Sequence, residues 1–345
     1  MVKYQIVLIL VLALSGCLEI KTRTTVSEDG SSERVITFQH PKKSLPEAAY
    51  PIPRDSSWTL EWVERPLGEG QVQYEYIARK RFATPEDLER EYTSIPDTGV
   101  LSVKVSLSKR FRWFYTYFDY RESYNLRNEF QYIPITAVLT PEQIRHYQYS
   151  YTGTIQDSIL DTKVRDWHER NTLEDFYHRF VRAMEKKNHP ELSALNLNRS
   201  KERFFALVEV RGEERDKKKK GEEIDIVQFL VDVLEEAVGT KAVRSMKNDI
   251  AAAFAEEQEK EQRLNTANGT YENSVQLPGM LLETNSNKVQ GNLVAWKVKD
   301  DQLKVGEFVM TAQSRVANTW AFVATGLAGI TVVALVLIQA FRRPD

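Results

Sequence analysis

No charged residue occurs between Arg315 and Arg342, and the 22 residues from Trp320 to Phe341 form a single apolar run. As a helix this run is about 33 Å long at 1.5 Å per residue, enough to cross a hydrocarbon core. Trp320 stands where an aromatic belt residue belongs, and Arg342 and Arg343 follow directly, which reads as a cytoplasmic flank. Ala321, Thr325 and Gly329 fall four apart and fit a small-residue packing stripe, a pattern common to spanning helices in general. The sequence predicts a transmembrane helix over 319–341, a cytoplasmic tail over 342–345, and a body on the opposite side of the membrane.

The other end of the chain is also apolar. Residues 1–16 carry one charge, Lys3, then an uninterrupted apolar run from Ile6 to Leu14, then Ser15-Gly16 before Cys17. That run is too short to span stably and reads as a signal peptide. Leu14-Ser15-Gly16-Cys17 resembles the lipobox of bacterial lipoproteins. The resemblance implies a thioether-linked diacylglycerol on Cys17 and often a further acyl chain, such as palmitate, on its amine, and two or more chains give stable attachment. The alternative is an incidental free thiol behind an ordinary signal. As the chain has one cysteine, no internal disulfide framework exists and packing must hold the body together.

Both anchors place the body on the extracytoplasmic face. Leu18 after the cysteine is compatible with sorting to an outer membrane, whereas a spanning α-helix favours the cytoplasmic membrane. A body of about 300 residues, with a radius of gyration of ~19 Å, does not readily bridge two membranes. The expected location is therefore the cytoplasmic membrane.

The 47 basic and 49 acidic residues give a net charge of −2. The dense basic run Lys217 to Lys220 is bracketed by Glu213, Glu214, Asp216, Glu222 and Glu223, so there is no stripe of the kind that displaces phosphate counterions. No nucleic-acid partner is expected.

Within the body, residues 18–26 and 34–39 alternate around an Asp29-Gly30 turn and predict a hairpin. Prolines 41, 46, 51 and 53 make 40–57 irregular, with room for a short helix over 45–50. A second strand pair is expected at 58–64 and 71–81, and Thr84-Pro85-Glu86-Asp87 starts a short helix. From Leu101 the alternation Leu101, Val103, Val105, Leu107 runs on with the same parity into Phe111, Trp113, Tyr115 and Tyr117, as two long strands or one bent strand. Helices follow at Thr140-Pro141, 155–166 and 172–186, with a break near Asn171 where Thr172 and Asp175 resemble a capping box. Residues 203–210 read as a strand, 211–223 as a solvated loop, and 224–238 and 241–262 as two helices. Strands return at 272–277, 287–298 and 302–311.

This order predicts an α+β fold. A body of antiparallel β-sheet carries an inserted helical block and is followed by the transmembrane helix. The expected division is signal peptide 1–16, β-rich region 17–138, helical block 139–270, returning strands 271–318, spanning helix 319–341 and tail 342–345. The first hairpin and the last strands both adjoin membrane anchors, which suggests that they share one sheet.

Phe111, Trp113, Tyr115 and Tyr117 belong to the most aromatic stretch of the chain. They are candidates to line a groove for acyl chains or glycans, because Trp and Tyr offer flat apolar faces with a polar handle. The competing reading is sheet core with cross-strand aromatic pairs. No P-loop, Gly-x-Ser-x-Gly, His-Glu-x-x-His or Cys-x-x-Cys occurs. The tightest group of metal-type side chains is Asp166, His168, Glu169, Glu174, Asp175 and His178, and it also reads as a charged helix face. No catalytic residue, cofactor or metal is expected; an acid pair or a His–acid pair buried in a cleft would reopen the case for a hydrolase.

Val275 to Gly279, Thr284-Asn285, Gly291-Asn292 and Val294 to Trp296, followed by a strand and a terminal spanning helix, resemble the end of LppM-type bacterial membrane lipoproteins. The likeness covers about 20–40 and 272–341. It implies an envelope domain with a lipid-binding-like α+β fold and no assigned catalytic residues. The expected function is that of a doubly anchored, non-enzymatic envelope lipoprotein that binds a lipid, a glycolipid or a protein partner. The alternative is a structural or assembly subunit that docks through its helical block.

Overall fold

Polar and apolar residues alternate along Leu18–Val26 and Ser32–His40, and these form β1 and β2, an antiparallel hairpin with Val26 opposite Ser32. In its turn Asp29 accepts from the Ser31 amide at 2.9 Å and the Ser31 hydroxyl at 2.7 Å, while Gly30 adopts a φ of 97°. That left-handed conformation is why an Asp-Gly pair sits there. The computed structural model describes residues 18–40, 42–44, 50–54, 56–68, 71–93, 100–126, 132–187, 197–218, 225–265 and 269–341. The expected signal peptide, Cys17, most of the short helix expected over 45–50, and the tail with Arg342 and Arg343 lie outside the described residues. The chain divides into two units, one formed by Leu18–Arg127 and Asn268–Asp345, while the described residues of the other fall within Asn128–Ala267.

The first unit holds two sheets. A seven-stranded sheet runs β3 (Thr59–Gly68), β4 (Gln71–Phe82), β2, β1, β7 (Gly269–Gln276), β10 (Leu293–Lys299), β9 (Lys288–Gln290). Strands from the two ends of the body lie side by side in it, since β1 pairs with β7, Ile20 opposite Tyr271. That contact is parallel, against an otherwise antiparallel pattern. A four-stranded sheet runs β5 (Leu101–Phe111), β6 (Tyr115–Leu126), β11 (Phe308–Ala317), β8 (Met280–Thr284). Their inner faces meet through Tyr50, Tyr124 and Tyr271, whose ring centroids lie 5.8–6.1 Å apart. Helix α1 (Pro85–Thr93) packs on β5, capped by Thr84 and Asp87 in reciprocal hydrogen bonds of 3.2 Å.

The uniform parity expected through the aromatic stretch does not hold. Residues 112–114 turn the chain, and β5 and β6 pair with Leu107 opposite Tyr120 and Val105 opposite Glu122. Odd residues of β5 therefore face inward with even residues of β6, which buries Phe118, Tyr120, Glu122 and Tyr124 and leaves Tyr115 and Tyr117 on the other face. Two further expectations are corrected nearby. The single strand over 287–298 is a hairpin, β9 and β10, turned by Gly291 at φ 64°. The strand over 302–311 begins as helix α7 (Asp300–Lys304), whose first turn carries Asp300 and Asp301, and only β11 is extended.

The residues behind the LppM-type resemblance form the crossover between the sheets. Gly279 has a φ of 75°, and a Cβ there would collide with the carbonyl of Arg315. Asn285 accepts from the Trp296 indole and the Thr311 amide, each at 3.0 Å, and donates to the Val309 carbonyl at 2.6 Å. Asn292 donates to the Leu277 carbonyl at 2.7 Å. These side chains tie β7, β8, β10 and β11 together. From β11 the chain enters α8 (Thr319–Phe341), 23 residues long and apolar enough to cross a membrane.

The second unit is helical in its described residues. Helix α2 (Pro141–Tyr149) starts at the expected Thr140-Pro141, where Thr140 and Gln143 form a capping box. Helix α3 (Ile155–Lys187) runs through the expected break. Asn171 does not interrupt it, because its side chain donates to the Trp167 carbonyl at 3.1 Å and exchanges hydrogen bonds with the Ile133 backbone, while Thr172 donates to the His168 carbonyl. The strand expected at 203–210 and the first part of the loop expected over 211–223 are corrected to helix α4 (Leu197–Lys218), which buries Phe204, Phe205 and Val208 at helical spacing, while 219–223 lie outside the described residues. Helix α5 (Ile226–Val238), capped by Asp225 and ended by Gly239 at φ 80°, and α6 (Lys247–Asn265) complete the unit. Leu230, Val231, Val233 and Leu234 of α5 are spent inside this core.

Candidate functional site

The outer face of the seven-stranded sheet carries a groove of about 460 Å³. Its floor follows from the register. One cross-strand row reads Arg79, Val35, Arg23, Ser274, Ala295, Lys288, and the next reads Ile77, Thr37, Lys21, Glu272, Lys297. Small side chains, Val35 and Thr37 on one side of β1 and Ser274 and Ala295 on the other, make the depression. Lys21 and Arg23 stand between them on β1 and Arg79, Lys288 and Lys297 stand further out, with Glu272 the one acid in the lining. At ~4.8 Å per strand, the row from Arg79 to Lys288 spans about 24 Å, far more than a single phosphate needs.

The cations are only partly matched. Lys21 lies 3.5 Å from Glu19 and 3.8 Å from Glu272, and Arg23 donates to the Gln276 amide oxygen at 3.1 Å. Among the described residues no carboxylate is within ion-pairing distance of Arg79, Lys288 or Lys297. Surplus positive charge beside the Thr37 hydroxyl is suited to an anionic ligand with several acceptor oxygens.

Directly beneath, on the inner face, lies a buried ion pair. Arg34 on β2 and Glu122 on β6 are fully enclosed and joined by two hydrogen bonds of 2.9 and 2.7 Å. Arg34 also donates to Thr24 at 2.9 Å and to Tyr50 at 3.2 Å, and lies 4.7 Å from the Tyr92 ring centroid. Tyr120 donates to Glu122, and Asn273 donates to Tyr124 at 3.2 Å. Burial opposes ionisation of Glu122, yet the Arg34 charge and its hydrogen bonds hold the carboxyl below its ordinary range. Burial and the Glu122 charge push the Tyr120 phenol up, so it stays a donor.

The sequence-predicted groove residues lie elsewhere. Phe111 and Trp113 are half exposed at the β5–β6 tip and contact Trp320 of α8, with centroids 6.3 and 5.1 Å away. Tyr115 contacts Phe322 at 5.8 Å and carries the Arg315 guanidinium over its face, and Tyr117 is its neighbour at 6.5 Å. None of the four lines the basic groove. The acid and histidine group of the helical unit is split along α3 into separate ion pairs. His168 meets Glu261 at 3.1 Å, and Asp175 meets Lys260 at 3.0 Å and Arg179 at 3.1 Å. No set of three or more metal-type ligands converges among the described residues. Glu257 sits against the same cluster, 3.4 Å from Lys260, and burial pushes its carboxyl up to about 8.

The groove cations escaped the sequence reading because they come from β1, β4, β9 and β10, and no local pattern says that these strands are neighbours. The available signal was that the outward parity of 18–26 and 293–299 carries Lys21, Arg23, Lys297 and Lys299.

No family model matches the chain, and no curated protein matches it. Among solved structures the chain is similar to the folded domain of the Mycobacterium tuberculosis LppM protein, determined by NMR, at 11% identity and a TM-score of 0.29, covering 88% of this chain and 91% of that one.

Proposed function

We propose that this chain is a doubly anchored envelope lipoprotein, acylated on Cys17 and spanning the cytoplasmic membrane through α8, whose sheet unit binds an anionic lipid or glycolipid headgroup on the extracytoplasmic side. The observation that carries the reading is the basic groove. Five cations from four strands line a floor that has small side chains between them, and among the described residues no carboxylate is within ion-pairing distance of three of them. Held at a membrane surface, such a site meets anionic headgroups at high local concentration, and each surface cation contributes about 1 kcal/mol toward them. The role is one of binding rather than catalysis, with no step that needs a cofactor.

Native mass spectrometry of the full chain extracted in mild detergent tests this. The expected result is a co-purified anionic lipid that is lost on Arg23→Ala/Lys297→Ala substitution, together with a Cys17 mass increment corresponding to acylation. Apo protein, or only zwitterionic lipid retained equally by the variant, would overturn the headgroup assignment.

A further inference from the structure

The hairpin tip between β5 and β6 is built against the start of α8. Asn318, the residue before the helix, donates through Nδ2 to the Arg112 and Trp113 carbonyls at 2.7 and 3.2 Å, accepts from the Thr116 hydroxyl at 2.9 Å, and sends its own amide to the Phe114 carbonyl at 2.9 Å. The Trp113 indole donates to the Thr325 hydroxyl at 2.9 Å. Phe114 packs on Phe322 with centroids 4.8 Å apart, and Phe111 stacks on Trp320 with 4° between the planes.

Thr325 lies six residues past the helix start, about 9 Å along its axis. A helix of 23 residues is only about 34 Å long, so little of it can stand clear of a 30 Å hydrocarbon core. If α8 spans the membrane, as the proposed function holds, a tip hydrogen-bonded to Thr325 cannot remain in bulk water. The side chains suit that position. Phe111, Trp113, Phe114, Trp320 and Phe322 are 59, 50, 37, 54 and 44% exposed, an apolar cluster that water would leave unsatisfied. Lys109 and Arg112 flank it and are exposed, Arg110 pairs with Asp119, and Arg315 lies over Tyr115. Exposed aromatic rings beside exposed cations are the composition of an interfacial anchor.

We infer that the β5–β6 tip inserts into the interface of the leaflet that α8 enters, as a second protein contact with the bilayer that fixes the four-stranded sheet to the membrane and sets the angle of the helix. The occupant of this aromatic surface is lipid rather than another protein.

The test uses the full chain labelled with 5-fluorotryptophan in lipid nanodiscs, with the 113 and 320 resonances assigned through Trp113→Phe and Trp320→Phe. A 5-doxyl lipid is expected to abolish the 113 signal while a soluble gadolinium chelate leaves it, with the opposite result for Trp62 on the sheet. Loss of the 113 signal to the chelate overturns the inference. Resistance to both probes also overturns it, because a second protein copy then covers the cluster. A carboxy-terminal tag reports separately on the spanning reading. If the tag resists protease in sealed vesicles until they are permeabilised, α8 spans, and exposure of Trp113 then counts against the tip alone.

Discussion

The two faces of the seven-stranded sheet both carry cations and treat them in opposite ways. On the inner face Arg34 is enclosed, paired with Glu122 through two short hydrogen bonds and surrounded by tyrosines and threonines. On the outer face Arg79, Lys288 and Lys297 line a groove with no carboxylate within ion-pairing distance among the described residues. A matched buried charge is part of the fold, because removing either partner strands the other in a low-dielectric core. An unmatched exposed charge contributes little to folding and remains available to a ligand.

The contrast is broken most severely from inside. Glu122→Ala is expected to destabilise the sheet unit by about 3–5 kcal/mol, read as a lowered denaturation midpoint, because it leaves Arg34 buried and unpaired. If that substitution is nearly neutral, the inner pair is not structural. The same pair predicts a pH response. Since the Glu122 carboxyl is held below its unfolded value, its stabilisation is fully present above the ordinary carboxylate range and is lost as pH falls through the folded value. Glu122→Gln should therefore flatten the acid limb of the stability profile.

The helical unit supplies a contrast of opposite sign. Glu257 is raised to about 8, so its contribution is present below the ordinary carboxylate range and is lost as pH rises through the folded value. Chemical denaturation should show the wild type losing stability relative to Glu257→Gln between pH 6 and pH 9. Parallel profiles for the two proteins would remove that assignment.

The smallest effects on stability belong to the groove. Arg23→Ala, Arg79→Ala or Lys297→Ala should each move the unfolding free energy by less than about 0.5 kcal/mol. Each should weaken an anionic ligand by about 1 kcal/mol, roughly fivefold in dissociation constant. Equal loss of stability and binding would mean that the groove cations are structural after all.

Legibility followed the range of the interaction. Caps and turns written in adjacent residues, such as Thr140 with Gln143 and Asp29-Gly30, stand where the sequence puts them. The apolar run over 320–341 does so too, as one helix long and apolar enough to cross a membrane, because length and polarity alone define it. Features that depend on distant partners were hidden. Asn171 and Thr172 look like a helix break until the Ile133 backbone comes within reach. Phe204 and Phe205, in a short apolar run, fit strand and helix equally well before the helical core selects one. The three-residue turn at 112–114 reverses the parity of β6, so an alternation read straight through placed Tyr115 and Tyr117 on the wrong side and gave no hint that Glu122 points into the core. The groove depends on a six-strand register assembled from both ends of the body, and a linear reading does not contain it.

The most direct test of the central claim is a titration of the detergent-solubilised full chain with dihexanoyl phosphatidylglycerol and, in parallel, dihexanoyl phosphatidylcholine, at low and high salt. Preferential binding of the anionic lipid is expected, weakened by salt and reduced about tenfold or more in an Arg23→Ala/Arg79→Ala/Lys297→Ala variant of unchanged stability. Equal binding of the two lipids, insensitive to salt and to the triple substitution, would contradict it.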